Sequence, residues 1–159
     1  MKKHAKLKKI ITSMAKVDQQ MRTTGVDDKQ LKKSDEQHYL KIKKLIAEHG
    51  YPQQEQVGKN VMTDFWTLIQ HQSQDPKLQQ ACLQNCDFEP IEKAYLRDRI
   101  LVNSRNKQIY GTQFKKVRNK IVPHPIKNKR QVDSLRKELG LKPLLEYTEQ
   151  INVMFKNRL

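Results

Sequence analysis

The chain has 159 residues, the length of one ordinary domain, and 31% of them are charged. No stretch approaches the roughly 18 consecutive apolar residues of a membrane-spanning helix, and the basic N-terminus is not followed by the apolar segment of a secretory signal. Two cysteines in a chain of this length exclude a disulfide-stabilised scaffold. We therefore expect a cytoplasmic protein that folds as a single domain over residues 1–159.

The net charge of +15 is concentrated in two segments. Residues 1–33 carry a net charge of +7 and residues 103–137 a net charge of +10, whereas residues 34–102 between them carry −2. Basic segments of this kind attract phosphates, nucleic acids and anionic surfaces. They also occur as solvated faces without a partner. Composition alone therefore leaves nucleic-acid binding through these two segments open.

The spacing of apolar residues predicts helices along the first two thirds of the chain. A first helix carries apolar residues from Leu7 to Met21 and ends at Gly25. A polar connection over residues 26–33 leads to a second helix, with Ser34 as its N-cap, which ends at Gly50. Three further helices are predicted from about Val57 to Gln70, from Asp75-Pro76, and from Glu89-Pro90.

The apolar pattern changes after a turn at residues 104–107. Gln108 to Phe114 alternates like a strand, and a turn at Arg118-Asn119 leads to a second strand, Lys120 to Val122. Helices from Val132 to Leu139 and from Pro143 close the chain. The predicted fold is mainly α, a compact multi-helix domain with one late β-hairpin.

One carboxylate lies where an apolar residue is expected. Asp98 follows Ile91 by seven residues and Ala94 by four, which places it on the apolar face of its helix. A buried carboxylate has to be paired or hydrogen-bonded. We therefore expect Asp98 to be buried and bonded to an arginine, a histidine or backbone amides, either as a structural residue or as part of a site.

Two further polar groups lie beside apolar helix faces. Asp18 borders the face of the first helix, and Arg22, four residues later, is placed to pair with it. Gln70 and His71 close the third helix, where a histidine is suited to general-base chemistry. The structural alternatives are a salt bridge within the first helix and a histidine that caps the last carbonyls of the third.

A polar cluster, Tyr110-Gly111-Thr112-Gln113, interrupts the predicted strand. Glycine within a strand marks a bulge or the close approach of another group, and threonine and glutamine supply hydrogen-bond donors and acceptors. Cys82 and Cys86 share a helix face, but the four ligands of a structural zinc site are not present at recognised spacings. We therefore expect neither a metal nor a cofactor.

Several short motifs follow one another in a distinctive order. In chain order they are Asp18-x-x-x-Arg22, Gly50-Tyr51-Pro52, Val57-Gly58, Gln70-His71, Leu96-x-Asp98-Arg99, Gln108-x-Tyr110-Gly111-Thr112-Gln113-Phe114, Val132-Asp133-x-x-Arg136 and Leu139-Gly140-Leu141-x-Pro143-Leu144. This order resembles an uncharacterised bacterial domain-of-unknown-function family over about residues 15–150. In the family pattern an acidic residue follows the Gln-His pair after one position, where this chain has Ser73. The resemblance implies a shared polar pocket and assigns no reaction.

These observations lead to two hypotheses of function. In the first, a small enzyme-like or ligand-binding domain holds a small polar or anionic molecule in one pocket. His71 transfers a proton, Arg99 holds negative charge and Asp98 orients one of them. The remaining ligand-binding candidates are Gln70, Tyr110, Thr112, Gln113, Asp18 and Arg22. In the alternative, the basic segments bind nucleic acid or a protein, and the polar cluster is structural.

Overall fold

A computed structural model describes the backbone of residues 2–156 and the side chains of residues 4–156. The chain divides into two compact units, a first unit Met1–Glu89 and a second unit Pro90–Leu159. Eight helices and one antiparallel hairpin occur in the described residues, which confirms the predicted mainly α fold with a late hairpin. The expectation of a single domain stays a prediction. Among residues 2–156, no helix combines the length and apolar character that crossing a bilayer requires.

The first unit is built on two long helices and a shorter one that packs against them. Its described helices are α1 (Lys2–Thr23), α2 (Asp28–His49), α3 (Gln54–Val57), α4 (Lys59–Gln70) and α5 (Pro76–Asn85). α1 packs against α2, α3 and α4. Ile11, Ile42 and Phe65 are fully buried where these helices meet. Apolar burial on one face of each helix therefore holds this unit together.

Local capping signals in the sequence predict several helix ends correctly. Gly50 ends α2, and its N–H donates to the carbonyl oxygen of Ile46 at 2.9 Å. The Asp75 carboxylate accepts a hydrogen bond from the Leu78 N–H at 3.0 Å, with Pro76 in the first turn of α5. Both signals depend on residues within one turn of the helix end, which is why they can be read without tertiary information.

The predicted start of the second helix is wrong. Ser34 is not the N-cap; α2 begins at Asp28, and the Asp27 carboxylate accepts a hydrogen bond from the Gln30 N–H at 2.7 Å. Ser34 and His38 are buried on the same face of α2 as Ile42. Buried polar residues interrupt the apolar stripe of this helix, so the predicted N-cap lies about two turns too late.

The third helix also differs from its prediction. Gly58, with a φ of 85°, ends the short helix α3 and precedes α4, so Val57 belongs to α3 rather than to the long helix. A residue with a side chain adopts this left-handed backbone conformation only with strain, so glycine is required at this break. The C-terminal end of α4 at Gln70 lies where it was predicted.

The second unit combines three helices with the hairpin. Asn152 of the last helix clamps the second strand: the Ile121 N–H donates to its Oδ1 at 2.8 Å, and its Nδ2 donates to the Ile121 carbonyl at 2.7 Å. In the hairpin Phe114 pairs with Pro123 and Val117 with Lys120. The elements are α6 (Pro90–Asn103), β1 (Phe114–Val117), β2 (Lys120–Pro123), α7 (Val132–Glu138) and α8 (Leu144–Lys156).

The prediction of a strand from Gln108 to Phe114 is wrong. β1 begins only at Phe114, and Gln108 makes one isolated bridge, with Ile126. The backbone N–H groups of Ile109, Tyr110 and Thr112 donate instead to the side chain of Asp98 on α6. The partner of this segment is therefore a carboxylate and not a neighbouring strand.

Candidate functional site

The nine predicted site residues lie in two groups, one in each unit. Asp18, Arg22, Gln70 and His71 belong to the first unit; Asp98, Arg99, Tyr110, Thr112 and Gln113 belong to the second. In each group, hydrogen bonds within the unit surround one buried aspartate, Asp18 in the first and Asp98 in the second. The expectation that seven of the nine residues, all except Asp18 and Arg22, converge on one pocket stays a prediction.

Asp18 is the centre of the first group. Its side chain is 2% exposed, and the Arg22 Nε donates to its Oδ1 at 3.2 Å, which confirms the pair expected from their spacing on α1. The Nδ1 of His71 lies 3.0 Å from each of the two carboxylate oxygens. His71 follows the last residue of α4 and its side chain is 21% exposed, so a buried acid holds a partly accessible imidazole.

Arg22 connects this pair to α2. Its Nη2 donates to the Asp35 Oδ1 at 2.6 Å, and the Arg22 and Asp35 side chains are 28% and 21% exposed. We refer to Asp18, Arg22, Asp35 and His71 as the Asp18 cluster. Sequence analysis missed Asp35, since an acidic residue on a solvated helix face carries no signal that it pairs with another helix.

The acid that contacts His71 lies on a different element from the one that the family pattern predicts. Ser73 occupies the acidic position of that pattern, and Asp18 supplies the carboxylate from α1. Asp75 does not substitute, because its carboxylate accepts hydrogen bonds from the Leu78 N–H and from the Tyr39 hydroxyl, the latter at 2.9 Å. The backbone hydrogen bond from Leu78 holds the pKa of Asp75 below its usual value despite some burial.

The Asp18 carboxylate is ionised at neutral pH. Burial by itself raises the pKa of Asp18, but the hydrogen bond and charge of His71 and the charge of Arg22 outweigh burial. The pKa of Asp18 therefore lies below its ordinary value of 3.8. A charged carboxylate beside one ring nitrogen favours the tautomer that donates to it and holds the ring in one orientation.

We expect the Asp18 cluster to make the protein sensitive to acid. Because the folded-state pKa of Asp18 is depressed, its contribution to stability is complete above the unfolded value and is lost as pH falls through the folded value. Asp18→Asn should therefore lower the free energy of unfolding at neutral pH and flatten its pH dependence below about pH 4. Urea unfolding across this range measures the effect, with the exposed Glu36→Gln as control. An unchanged pH dependence would contradict the assignment.

His38 is buried beside the cluster. Its side chain is 2% exposed, and its Nδ1 has no hydrogen-bond partner among the described residues. Burial lowers the pKa of His38; the charges of Asp18 and Asp35 oppose this shift without cancelling it. The ring is therefore neutral at pH 7, and its Nδ1 can either donate or accept a hydrogen bond, depending on the tautomer.

One set of side chains has the spacing of metal ligands. Ligating atoms of Asp18, Asp35 and His38 lie within 4.8 Å of one another. The Arg22 guanidinium already bonds both carboxylates, so their negative charge is partly neutralised without a metal ion. We assign no metal to this set, and the expectation that the protein uses neither metal nor cofactor stays a prediction.

Asp98 is the centre of the second group. It is fully buried, and its Oδ1 accepts the Ile109 N–H at 2.7 Å while its Oδ2 accepts the N–H and hydroxyl of Thr112 at 3.1 and 3.0 Å. The Tyr110 N–H lies 3.1 Å from both oxygens. The prediction of a buried Asp98 bonded to backbone amides is confirmed. These hydrogen bonds hold residues 108–113, named here the Asp98 loop, against the Asp98 side chain of α6.

Gln108 closes the same loop and was not among the predicted site residues. It is fully buried, its Nε2 donates to the carbonyls of Gln113 and His124 at 2.9 Å each, and its Oε1 accepts the Gln113 N–H at 2.9 Å. The Gln113 Nε2 donates to the Thr112 hydroxyl at 3.1 Å. Of the second group, Arg99, Tyr110 and Gln113 are half-buried, while Asp98 and Thr112 are buried.

Arg136 fixes the other side of the Asp98 loop. It is 1% exposed, its Nη1 donates to the carbonyls of Tyr110 and Gly111 at 2.9 and 3.2 Å, and its Nε donates to the Lys142 carbonyl at 2.6 Å. The guanidinium carbon lies 5.1 Å from the centre of the Tyr147 ring. Arg136 belongs to the Asp133-x-x-Arg136 motif of the sequence, but the motif by itself predicted no role for this arginine.

Gly111 is the tightest point of the loop, and Gly111→Ala should destabilise the protein by about 1–3 kcal/mol. Its φ is 68°, and a Cβ at this position would lie 2.7 Å from the Leu144 Cδ1. Gly140→Ala is the matched control, because Gly140 has a φ of 69° and no atom within 4 Å of its virtual Cβ. Thermal unfolding should show the larger loss for Gly111→Ala; equal losses would contradict a packing contribution from Leu144.

Comparison with known protein families identifies the chain by sequence. A family model described as a family of unknown function, DUF6624, matches residues 5–157, so the chain belongs to this family. The match confirms the resemblance to a family of unknown function and reaches beyond the segment that the motifs span. No match was found among curated proteins or among solved structures. Membership assigns no reaction, so function has to be argued from the geometry.

Proposed function

We propose that the Asp18 cluster is a proton-transfer centre for a small polar or anionic molecule, in an enzyme-like or ligand-binding protein. The observation that carries this proposal is the contact between a buried, ionised carboxylate and the Nδ1 of a partly exposed histidine. When Nδ1 donates its proton to Asp18, the other ring nitrogen, Nε2, is left with its lone pair free. An imidazole oriented in this way can accept a proton from a ligand and return it.

The charges of the cluster are consistent with this role. Asp18 and Asp35 supply two negative charges, and Arg22 between them supplies one positive charge that holds both carboxylates in place. The Asp18 carboxylate is thereby held beside the Nδ1 of the His71 ring. Arg22 is in this reading a positioning residue, since its guanidinium is committed to two carboxylates.

The second unit supplies the remaining candidates. Within that unit, the half-buried Arg99, Tyr110 and Gln113 stay predicted ligand contacts, whereas Asp98 and Thr112 have positioning roles, because their polar atoms are engaged within the Asp98 loop. Gln70 is 6% exposed and closes α4 beside His71. Its place in the proposal is to fix the end of the helix that presents the imidazole.

Equilibrium dialysis of the purified full chain against a mixture of small metabolites tests the proposal. We expect mass spectrometry to show a polar or anionic compound retained by the wild type and lost, by about tenfold or more, from His71→Ala. The exposed Lys8→Ala serves as control, since Lys8 lies on α1 outside the cluster. Undiminished retention of the compound by a folded His71→Ala, Gln113→Ala double variant would overturn the proposal.

The basic hairpin supports a second candidate function, nucleic-acid binding. Lys115, Lys116, Arg118 and Lys120 are all exposed on β1, β2 and the turn between them. Lys115 and Lys116 line a pocket of about 340 Å³ together with Phe114 and Phe155. Both rings are half-buried, and lysines beside aromatic rings are a combination that binds single-stranded nucleic acid without sequence preference.

Charge reversal of the hairpin separates the two candidates. If the hairpin binds RNA, reversing all four basic side chains should abolish binding of a fluorescent oligonucleotide and flatten its dependence on salt, because fewer counterions are released. His71→Ala should then have little effect on that binding. Oligonucleotide binding that survives the four reversals would exclude the hairpin as the nucleic-acid site.

A further inference from the structure

A groove of about 460 Å³ lies between α1 and α2 in the first unit. Lys6 and Lys9 from α1 and Lys41 from α2 border it, and all three side chains are exposed. No carboxylate is among the described residues that line it. Three positive charges around a concave surface without a neutralising acid create a potential that attracts an anion.

The wall of the groove is apolar. Ile10, Met14 and Val17 follow one another along the face of α1 that lines it. Val17 is 45% exposed, whereas Leu7 and Ile11 of the same helix are buried. A hydrated inorganic anion would gain nothing from this wall, whereas a carbon chain would remove it from water. The groove therefore suits a molecule with both an anionic and an apolar part.

A buried histidine lines the same groove. His38 is 2% exposed, and its Nδ1 has no hydrogen-bond partner in the part of the chain that the structure describes. A buried ring nitrogen without a partner costs free energy, and an oxygen atom of a ligand in the groove would remove that cost. His38 also connects the groove to the Asp18 cluster, since a ring nitrogen and the Asp18 and Asp35 carboxylates lie within 4.8 Å.

We propose that this groove binds an anionic amphiphile, a molecule with a phosphate or carboxylate head group and a short aliphatic chain. The lysines hold the head group, His38 hydrogen-bonds one of its oxygens, and Ile10, Met14 and Val17 cover the chain. This inference names the class of ligand that the Asp18 cluster would act on, and to that extent it rests on the proposed function. Binding in the groove does not itself require proton transfer by His71.

Isothermal titration of the full chain with dodecyl phosphate and with dodecanoate, each below its micellar concentration, tests the proposal. We expect one site for at least one of the two, and their relative affinities identify the preferred head group. Inorganic phosphate and the neutral dodecyl maltoside should each bind about tenfold or more weakly. Equal binding of either reference compound, or no saturable binding of the two anionic amphiphiles, would overturn the proposal.

Paired lysine variants distinguish the groove from the general positive charge of the protein. Lys9→Glu and Lys41→Glu should weaken binding by about tenfold, whereas Lys8→Glu, an equal change of charge at the neighbouring exposed position of α1, should alter it by less than about twofold. Equal losses for Lys8→Glu and Lys9→Glu would mean that binding is unspecific and would exclude the groove.

The His71→Ala variant keeps the two proposals apart. Dodecyl phosphate should bind it as tightly as it binds the wild type, because His71 does not line the groove. If the groove fails to bind, the proton-transfer role of His71 is still judged by its own test. If His71→Ala retains the metabolite of the dialysis experiment while the lysine variants lose amphiphile, the groove stands and the proton-transfer role falls.

Discussion

Replacing Asp98 with alanine should destabilise the protein by roughly 3–5 kcal/mol, because it leaves several buried donors without an acceptor. The Asp98 carboxylate accepts the N–H groups of Ile109, Tyr110 and Thr112 and the Thr112 hydroxyl, and no water reaches the fully buried side chain to replace it. Urea unfolding followed by circular dichroism measures the loss. Wild-type stability in Asp98→Ala would contradict the role of this carboxylate in ordering the Asp98 loop.

Asp98→Asn is the matched variant and should have an intermediate cost. The amide keeps one oxygen, which can still accept the Ile109 N–H, but its NH₂ group meets the Thr112 N–H at the position of the second oxygen. The cost of Asp98→Asn therefore reports the hydrogen bonds at the second oxygen, and the further cost of Asp98→Ala reports those at the first. A cost for Asp98→Asn as large as that for Asp98→Ala would show that the charge, and not the shape, carries the effect.

The second large effect is expected for Arg136→Ala, at about 3–5 kcal/mol. This change opens a cavity at a fully buried side chain and removes the donors that bond the carbonyls of Tyr110, Gly111 and Lys142. Burial lowers the pKa of Arg136, and its Nη2 has no partner among the described residues, so part of this contribution is offset by desolvation. Equilibrium unfolding in urea measures the net result.

Arg136→Met separates packing from hydrogen bonding. Methionine fills much of the arginine volume without a charge, so this variant keeps most of the packing and loses the hydrogen-bond donors and the cation–π contact with Tyr147. We expect it to cost clearly less than Arg136→Ala. If both variants were as stable as the wild type, the guanidinium would have no part in holding the Asp98 loop.

Signals contained within one helical turn could be predicted from the sequence, and so could the burial of Asp98. Asp75-Pro76 specifies a helix start by itself, and the spacing of Asp98 four residues after the buried Ala94 places the carboxylate on a buried face whatever its partner is. Ile91, the other residue used to predict that face, is 39% exposed. The start of α2 was predicted wrongly at Ser34 because the local pattern there was misleading. Ser34 and His38 are polar residues on a buried face, so the pattern of apolar residues stops before the helix does.

The partners of the polar residues could not be predicted. Asp18 and His71 are separated by 53 positions, and each has an acceptable local role, in a helix salt bridge or at a helix end, without the other. Gln108 and Arg136 have side chains that usually lie at the surface, and only the closing of the Asp98 loop shows that they are buried. The sequence pattern from Gln108 to Phe114 does not distinguish a strand from a segment whose backbone N–H groups bond a carboxylate.

The tautomer of His71 is the most direct test of the proposed proton-transfer centre. Two-bond ¹H–¹⁵N correlation spectra of the neutral ring show which nitrogen carries the proton, with the exposed His4 as an internal reference. We predict the proton on Nδ1, facing Asp18, a basic Nε2, and the loss of this preference in Asp18→Asn. A wild-type ring with its proton on Nε2, or a tautomer unchanged by Asp18→Asn, would contradict the proposal that Asp18 prepares His71 to accept a proton.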